Sequence, residues 1–331
     1  MKITNSNYTY SPQFKSKFIE TLRQPANLRK PLDKMTKGDC HYLSSYLYAF
    51  KFRLGITQKE IQSLLSKNGI EFLNATSNFL KQKMGFSDNN LPPIMLMEGT
   101  FGGAESGYVL EQNAIYLTNA FENIPKPQLF GLLRHEYQHA IQNHNILRTE
   151  GLGEEAVEYY AEKAFEKQKE LLLEFAKNYS VKELLAQGLI NDNGAIIISE
   201  ISGALQRNDK VAVDSILKQF KQVLLAELKE FREKLILEKG TIKADSKTAQ
   251  VAKIHFDEFK NVDYFDKNGN LDLGKHSFKV TENESELAQI MAEAEISQTC
   301  FIKLQKKNIE KLCKNKAIAD SIDREFEKIN N

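Results

Sequence analysis

The chain has 331 residues, of which 41% are hydrophobic and 27% charged, and its formal net charge is +1. That is enough apolar material for a substantial core and for two or three domains, and the balanced charge argues against a nucleic-acid surface, which would show a clustered basic excess. Cys40, Cys300 and Cys313 have no CxxC spacing, so neither a disulfide framework nor a cysteine metal site is indicated.

The first residues, MKITNSNYTYSPQFKSKF, lack the apolar run of a secretory signal, and no stretch of about eighteen apolar residues occurs anywhere. The expectation is a soluble protein, cytoplasmic by default, with neither membrane nor nucleic acid as a partner; a short polar leader is also compatible with a non-classical export route. Residues 1–38 are polar and carry Pro12, Pro25 and Pro31, which reads as an arm or a disordered tail. Helices are expected over His41 to Phe52, after a capping box at Thr57 to Glu60, and over Glu71 to Met84. The pattern then changes to strand at Pro93 to Met97, Gly107 to Leu110 and Ala114 to Leu117, with Glu111 to Asn113 as a hairpin turn.

Pro125 and Pro127 open the next helix, QLFGLLRHEYQHAIQNH, in which Leu129, Leu133, Glu136 and Ala140 form one stripe beside Leu132, His135 and His139. In His135-Glu136-Tyr137-Gln138-His139 the histidines are four apart, so both imidazoles lie on one helix face and can reach one ion. Glu136 projects about 100° away from His135, beside the ligands rather than among them. That placement suits a carboxylate that takes a proton from a zinc-bound water.

This HExxH segment resembles the active-site helix of the zincin superfamily of zinc metallopeptidases. Downstream, Thr149 to Glu162 contains EGLGEEAVEYYAE, which is similar to the glutamate helix of gluzincins, where the ligand glutamate comes first, a small residue follows three positions later and an acid four positions later. The resemblance implies zinc held by His135, His139 and Glu150, with Glu154 as the acid that orients a ligand histidine. On the helical wheel Glu155 points away from the face shared by Glu150, Glu154 and Val157, while Glu154 and Glu158 repeat the same acid spacing and stay open as ligands. Only ten residues separate His139 from Glu150, so a tight loop is expected between them. His144 reads as a histidine near the helix end, at the negative pole of the dipole.

After that helix, expected to reach about Asn178, the chain stays helical, with a capping box at Ser180 to Glu183 and a long amphipathic helix over Val211 to Glu238. A turn at Asp266 to Asn270 joins two short strands, Val262 to Phe265 and Leu271 to Leu273, and Glu282 to Asn330 closes the chain with one or two helices. The expected class is α+β, mostly helical, with a small antiparallel sheet before the HExxH helix and a helical C-terminal half. The expected segments are a 1–38 arm, a 39–178 metallopeptidase core, a 179–245 helical extension and a 246–331 C-terminal region with a short hairpin.

The zincin resemblance further implies an edge strand that holds a peptide or protein substrate by main-chain pairing, for which Gly102 to Val109, and within it Gly107, Tyr108 and Val109, is the candidate. It also implies a Tyr or His that stabilises the oxyanion, with Tyr159, Tyr160, Tyr264, His255 and His276 available. The expected activity is zinc-dependent peptide hydrolysis with Glu136 as general base; the alternative is a catalytically inactive, zincin-like helical interaction protein.

Overall fold

The computed structural model describes residues 52–99, 104–186, 190, 192–261 and 280–297. The polar arm, the helix expected over His41 to Phe52 apart from Phe52 itself, nearly all of the Gly-rich turn after the first strand, the hairpin expected between Val262 and Leu273 and the chain beyond Ser297 lie outside these residues. The described residues form two compact units. The first holds those up to Tyr108, those from Ala114 to Gln142 and those from Asp257 onward; the second holds Val109–Asn113 and Asn143–Phe256.

In the first unit, helix α1 (Gln58–Leu65) starts at the expected capping box: the Thr57 side chain accepts from the Glu60 amide, and the Glu60 carboxylate accepts from the Thr57 amide. These hydrogen bonds from Thr57, first from its backbone, hold the Glu60 carboxyl down at about 2. Helix α2 (Gly69–Met84) ends at Gly85, whose φ of 72° is the left-handed stop that glycine adopts without strain. Strands β1 (Ile94–Met97), β2 (Ser106–Val109) and β3 (Ala114–Thr118) follow, in the spatial order β1-β3-β2.

The fold is α+β with this small sheet directly before the histidine helix, yet the sheet is mixed rather than antiparallel throughout. β1 runs parallel to β3, pairing Ile94 with Ile115 and Met97 with Thr118. A parallel pair needs a long connection, and β2 with its return turn supplies part of it. The expected hairpin turn is a short 3₁₀ segment, Leu110–Gln112, closed by Asn113 at a φ of 43°, a conformation asparagine tolerates better than most side chains.

Helix α3 (Lys126–Arg148) crosses both units. Its stripe is buried as its spacing demands: Leu129, Leu133 and Ala140 are at most 3% exposed, and Phe130 and Tyr137 are fully enclosed with Phe72, Leu80, Ile115 and Leu117. Tyr137 keeps its hydroxyl satisfied against Ser77 at 2.7 Å, and burial pushes its pKa up to about 12. Helix α9 (Val280–Ile296) lies close to α3, because a Cβ at Gly131 would stand 2.4 Å from Glu293 Cγ. Two carboxylates fix the ends of α9. Glu258 accepts from the Val280 and Thr281 amides and the Thr281 hydroxyl, and the 1% exposed Glu295 accepts from the Leu54, Gly55 and Ile56 amides and from Arg53. These bonds set the position of the helix that carries Glu282.

The second unit is helical. Helices α4 (Leu152–Asn178), α5 (Val181–Ala186), α6 (Asp192–Gln206) and α7 (Lys210–Lys239) pack around Phe165, Leu184, Ile198, Ile201, Val213 and Leu217, and α8 (Lys247–Asn261) runs on into the first unit. The expected Ser180–Glu183 box is present, with Ser180 and Glu183 bonded in both directions.

His144 is not at the helix end, since α3 continues to Arg148, and it is only 2% exposed. Its Nε2 donates to Asn113 Oδ1 at 3.1 Å, the role of a neutral imidazole. Burial first, and then the positive charges of Lys239 and Arg148, push its pKa down from 6.5 to about 3. The unfolded chain therefore takes up a proton near pH 6.5 that the folded chain refuses until about pH 3. Stability from this residue is complete above 6.5 and falls as the pH drops through that window, by up to about 1.4 kcal/mol per pH unit. Urea midpoints at pH 7, 6 and 5 should fall steeply in the wild type and less steeply in His144→Gln; equal slopes would show that His144 does not govern the acid limb.

Candidate metal centre

Helical spacing alone puts His135 and His139 one turn apart on α3, and the structure brings their Nε2 atoms to 3.0 Å. The third member of the group is Glu282, three residues into α9. Its Oε1 lies 3.2 Å from His139 Nε2 and its Oε2 lies 3.4 Å from His135 Nε2. The three side chains are only 8–12% exposed. Among the described residues this is the one group of three or more His, Cys, Asp or Glu side chains whose ligand atoms lie within 4.8 Å of one another.

The geometry fits a metal ion. Ligand atoms at about 2.0–2.1 Å from one ion in tetrahedral directions stand roughly 3.3 Å from one another; the two Nε2 atoms are 3.0 Å apart, and each has one Glu282 oxygen near that spacing, Oε1 at 3.2 Å from His139 and Oε2 at 3.4 Å from His135. Two imidazole nitrogens and one carboxylate oxygen are also a donor set that suits zinc and leaves a fourth direction open. Burial opposes charge on His139, but the Glu282 carboxylate, by its charge and its hydrogen bond, then Glu136 and Gln142, raise its pKa to about 9. The negative field that holds a proton on this imidazole would equally attract a divalent cation, whose binding releases that proton.

The far side of His139 is held by a network that assigns its tautomer. Gln142 Nε2 donates to the Thr281 carbonyl at 3.0 Å and to Glu284 Oε2 at 3.3 Å. Both partners are acceptors, so the Gln142 oxygen must face His139 Nδ1, which it does at 3.0 Å. Nδ1 is therefore the donor, and in the neutral ring the lone pair lies on Nε2, toward Glu282. Ser285 Oγ also lies 3.3 Å from Nδ1. Thus α9 supplies both the carboxylate and the support for one of the histidines.

Glu136 is 4% exposed, and its Oε1 accepts from the Ser106 hydroxyl at 2.6 Å. Ser106 opens β2, so the sheet that the sequence places before the helix contributes directly to this site. That bond fixes one oxygen of the Glu136 carboxyl group.

The acids of the EGLGE segment have other surroundings. The loop expected after His139 is absent; α3 continues through nine more residues to Arg148, which at 1.5 Å per residue carries the chain roughly 13 Å along the axis. Ile146 and Leu147, both fully buried, hold that extra length in place. Glu150 follows in the turn, exposed, with its carboxylate 3.3 Å from the Ala244 amide. Glu154 pairs with Arg232 at 2.5 Å, and Glu158 is exposed on α4. None of the three belongs to the cluster with His135 and His139.

Of the residues considered for the oxyanion, Tyr160 donates to Asn143, Tyr159 and Tyr160 pack edge-on against Phe256, and His255 is buried, all within the second unit. Tyr264 and His276 lie outside the described residues. Gly107, Tyr108 and Val109 form most of β2, an edge strand of the sheet.

Glu282, Gln142 and Ser106 are the residues that sequence reasoning passes over. Gln142 and Thr281 meet across 139 positions of sequence, a separation that no local motif spans. One signal existed: Glu284 and Glu295 share the helical phase of Ala288 and Met291, and carboxylates on an apolar face need partners. Among the described residues no helix is long and apolar enough to cross a membrane. Compared with known protein families, with curated proteins and with solved structures, the chain shows no match.

Proposed function

We propose that the protein is a zinc-dependent metallopeptidase with His135, His139 and Glu282 as the ligands and Glu136 as the general base. The observation that carries this reading is the convergence of two imidazole nitrogens and the Glu282 carboxylate, their ligand atoms within 4.8 Å of one another, beside a buried carboxylate that a hydroxyl already orients. A zinc ion held there would lower the pKa of a water toward ~7 and polarise a peptide carbonyl.

The chain's own residues supply the remaining chemistry. Glu136, fixed at Oε1 by Ser106, takes the water's proton on its other oxygen and returns it to the nitrogen of the departing amine. Gln142 keeps the His139 lone pair on Nε2. β2 offers main-chain groups along the sheet edge, where an extended peptide adds as a further strand, with Gly107 allowing close approach beside Tyr108 and Val109.

Metal removal tests the proposal. A chelator should abolish peptide cleavage, zinc should restore it, and melting should drop by about 5–10 °C, because a ligand present at 100 times its Kd adds about 2.7 kcal/mol. Protein that purifies without zinc and melts identically with and without chelator would instead favour the non-catalytic interaction protein.

A further inference from the structure

A cavity of about 290 Å³ is bounded by Glu105, Thr118, Asn123, Ile124, Pro125 and Gln128. That volume lies at the small end of the range of ligand sites, about 300–1,000 Å³, and has room for a long side chain. Two covalent connections tie it to the site. Glu105 directly precedes Ser106, whose hydroxyl holds Glu136. Gln128 stands seven residues before His135 and eleven before His139 on α3, which places all three on one helix face, with Gln128 roughly 10 Å along the axis from His135. An extended peptide advances about 3.3 Å per residue, so a substrate reaching from the metal ligands to the cavity spans about three residues.

The wall of this cavity has an uncompensated charge. Glu105 is half-buried, burial pushes its carboxyl pKa up, and its side chain has no hydrogen bond or ion pair among the described residues. A carboxylate in that position is stabilised by an incoming cation, while Ile124 and Pro125 suit the aliphatic stem of a long basic side chain. Resting on the peptidase reading, we infer that this cavity is a specificity subsite that takes an arginine or lysine side chain of the substrate, with Glu105 as its recognition residue.

Binding and cleavage separate the two claims. The probes are six acetylated, amidated alanine hexapeptides, each with one arginine at a different position, and the matching set with citrulline, which has the same shape without the charge. In zinc-loaded Glu136→Gln protein, calorimetry should show one arginine position binding at least tenfold tighter than its citrulline counterpart. Adding Glu105→Gln should erase that ratio, and Glu105→Lys should favour the same peptide with glutamate at that position. Equal binding of every arginine and citrulline pair, a preference that survives Glu105→Gln, or no binding of any peptide would overturn the subsite. Wild-type protein that binds the arginine peptide but never cleaves it would overturn the peptidase reading and leave the subsite standing, whereas cleavage indifferent to the arginine would do the reverse.

Discussion

Replacing Glu282 by glutamine is expected to weaken zinc binding by more than about 100-fold, beyond the 10- to 100-fold typical of losing a residue that only supports a ligand. Glutamine keeps the volume and can keep a hydrogen bond at its amide oxygen, so α9 should stay in place, held by Glu258 and Glu295 at its two ends. What disappears is the negative charge that faces both imidazoles at 3.2 and 3.4 Å. The control is Glu150→Gln. Glu150 is exposed, and its carboxylate meets a backbone amide of the second unit, so this substitution should leave zinc affinity unchanged. Zinc titration against a competing chelator reads both variants; an equal loss in the two, or a loss only in Glu150→Gln, would return the third ligand to the turn after α3.

Glu136→Gln should behave in the opposite way, retaining stoichiometric zinc while peptide cleavage falls by about 10²- to 10⁴-fold, the usual worth of a positioned proton-transfer group. Glu136 is not one of the three converging side chains, and its Oε1 already accepts from Ser106, a bond that an amide oxygen can retain. The fold and the metal should therefore survive while the proton acceptor is lost. Undiminished turnover by this variant would sink the proposed mechanism, and loss of zinc along with activity would place Glu136 among the ligands.

The parts of this site that were legible in the sequence were those that one helix encodes by itself. The i, i+4 spacing of His135 and His139 and the apolar stripe through Leu129, Leu133 and Ala140 follow from helical period alone, and both appear in α3. The same holds for the Thr57 and Ser180 capping boxes and for the long helix α7, whose bounds differ from the expected ones by a single residue at each end. The carboxylate was not legible, because Glu282 reaches the histidines only through the packing of α9 on α3. That approach depends on the lack of a side chain at Gly131 and on distant caps such as Glu295. Nothing local distinguishes Glu282 from its neighbours, whereas EGLGE offered a familiar pattern close at hand. Helix continuation was the decisive physical fact: no breaker interrupts Ala140 to Arg148, and burial of Ile146 and Leu147 favours helix over loop there. The parallel pairing of β1 was equally hidden, since strand periodicity gives the faces of a strand but not the direction of its partner.

The most direct test of the central claim is a crystal structure of the zinc-loaded protein with the ion located by its anomalous signal. It should show one ion bonded to Nε2 of His135, Nε2 of His139 and a carboxylate oxygen of Glu282, each at about 2.0–2.2 Å, with Glu136 beside the ion and still on Ser106. An ion ligated by Glu150, Glu154 or Glu158 in place of Glu282, or no ion between the two histidines, would contradict it.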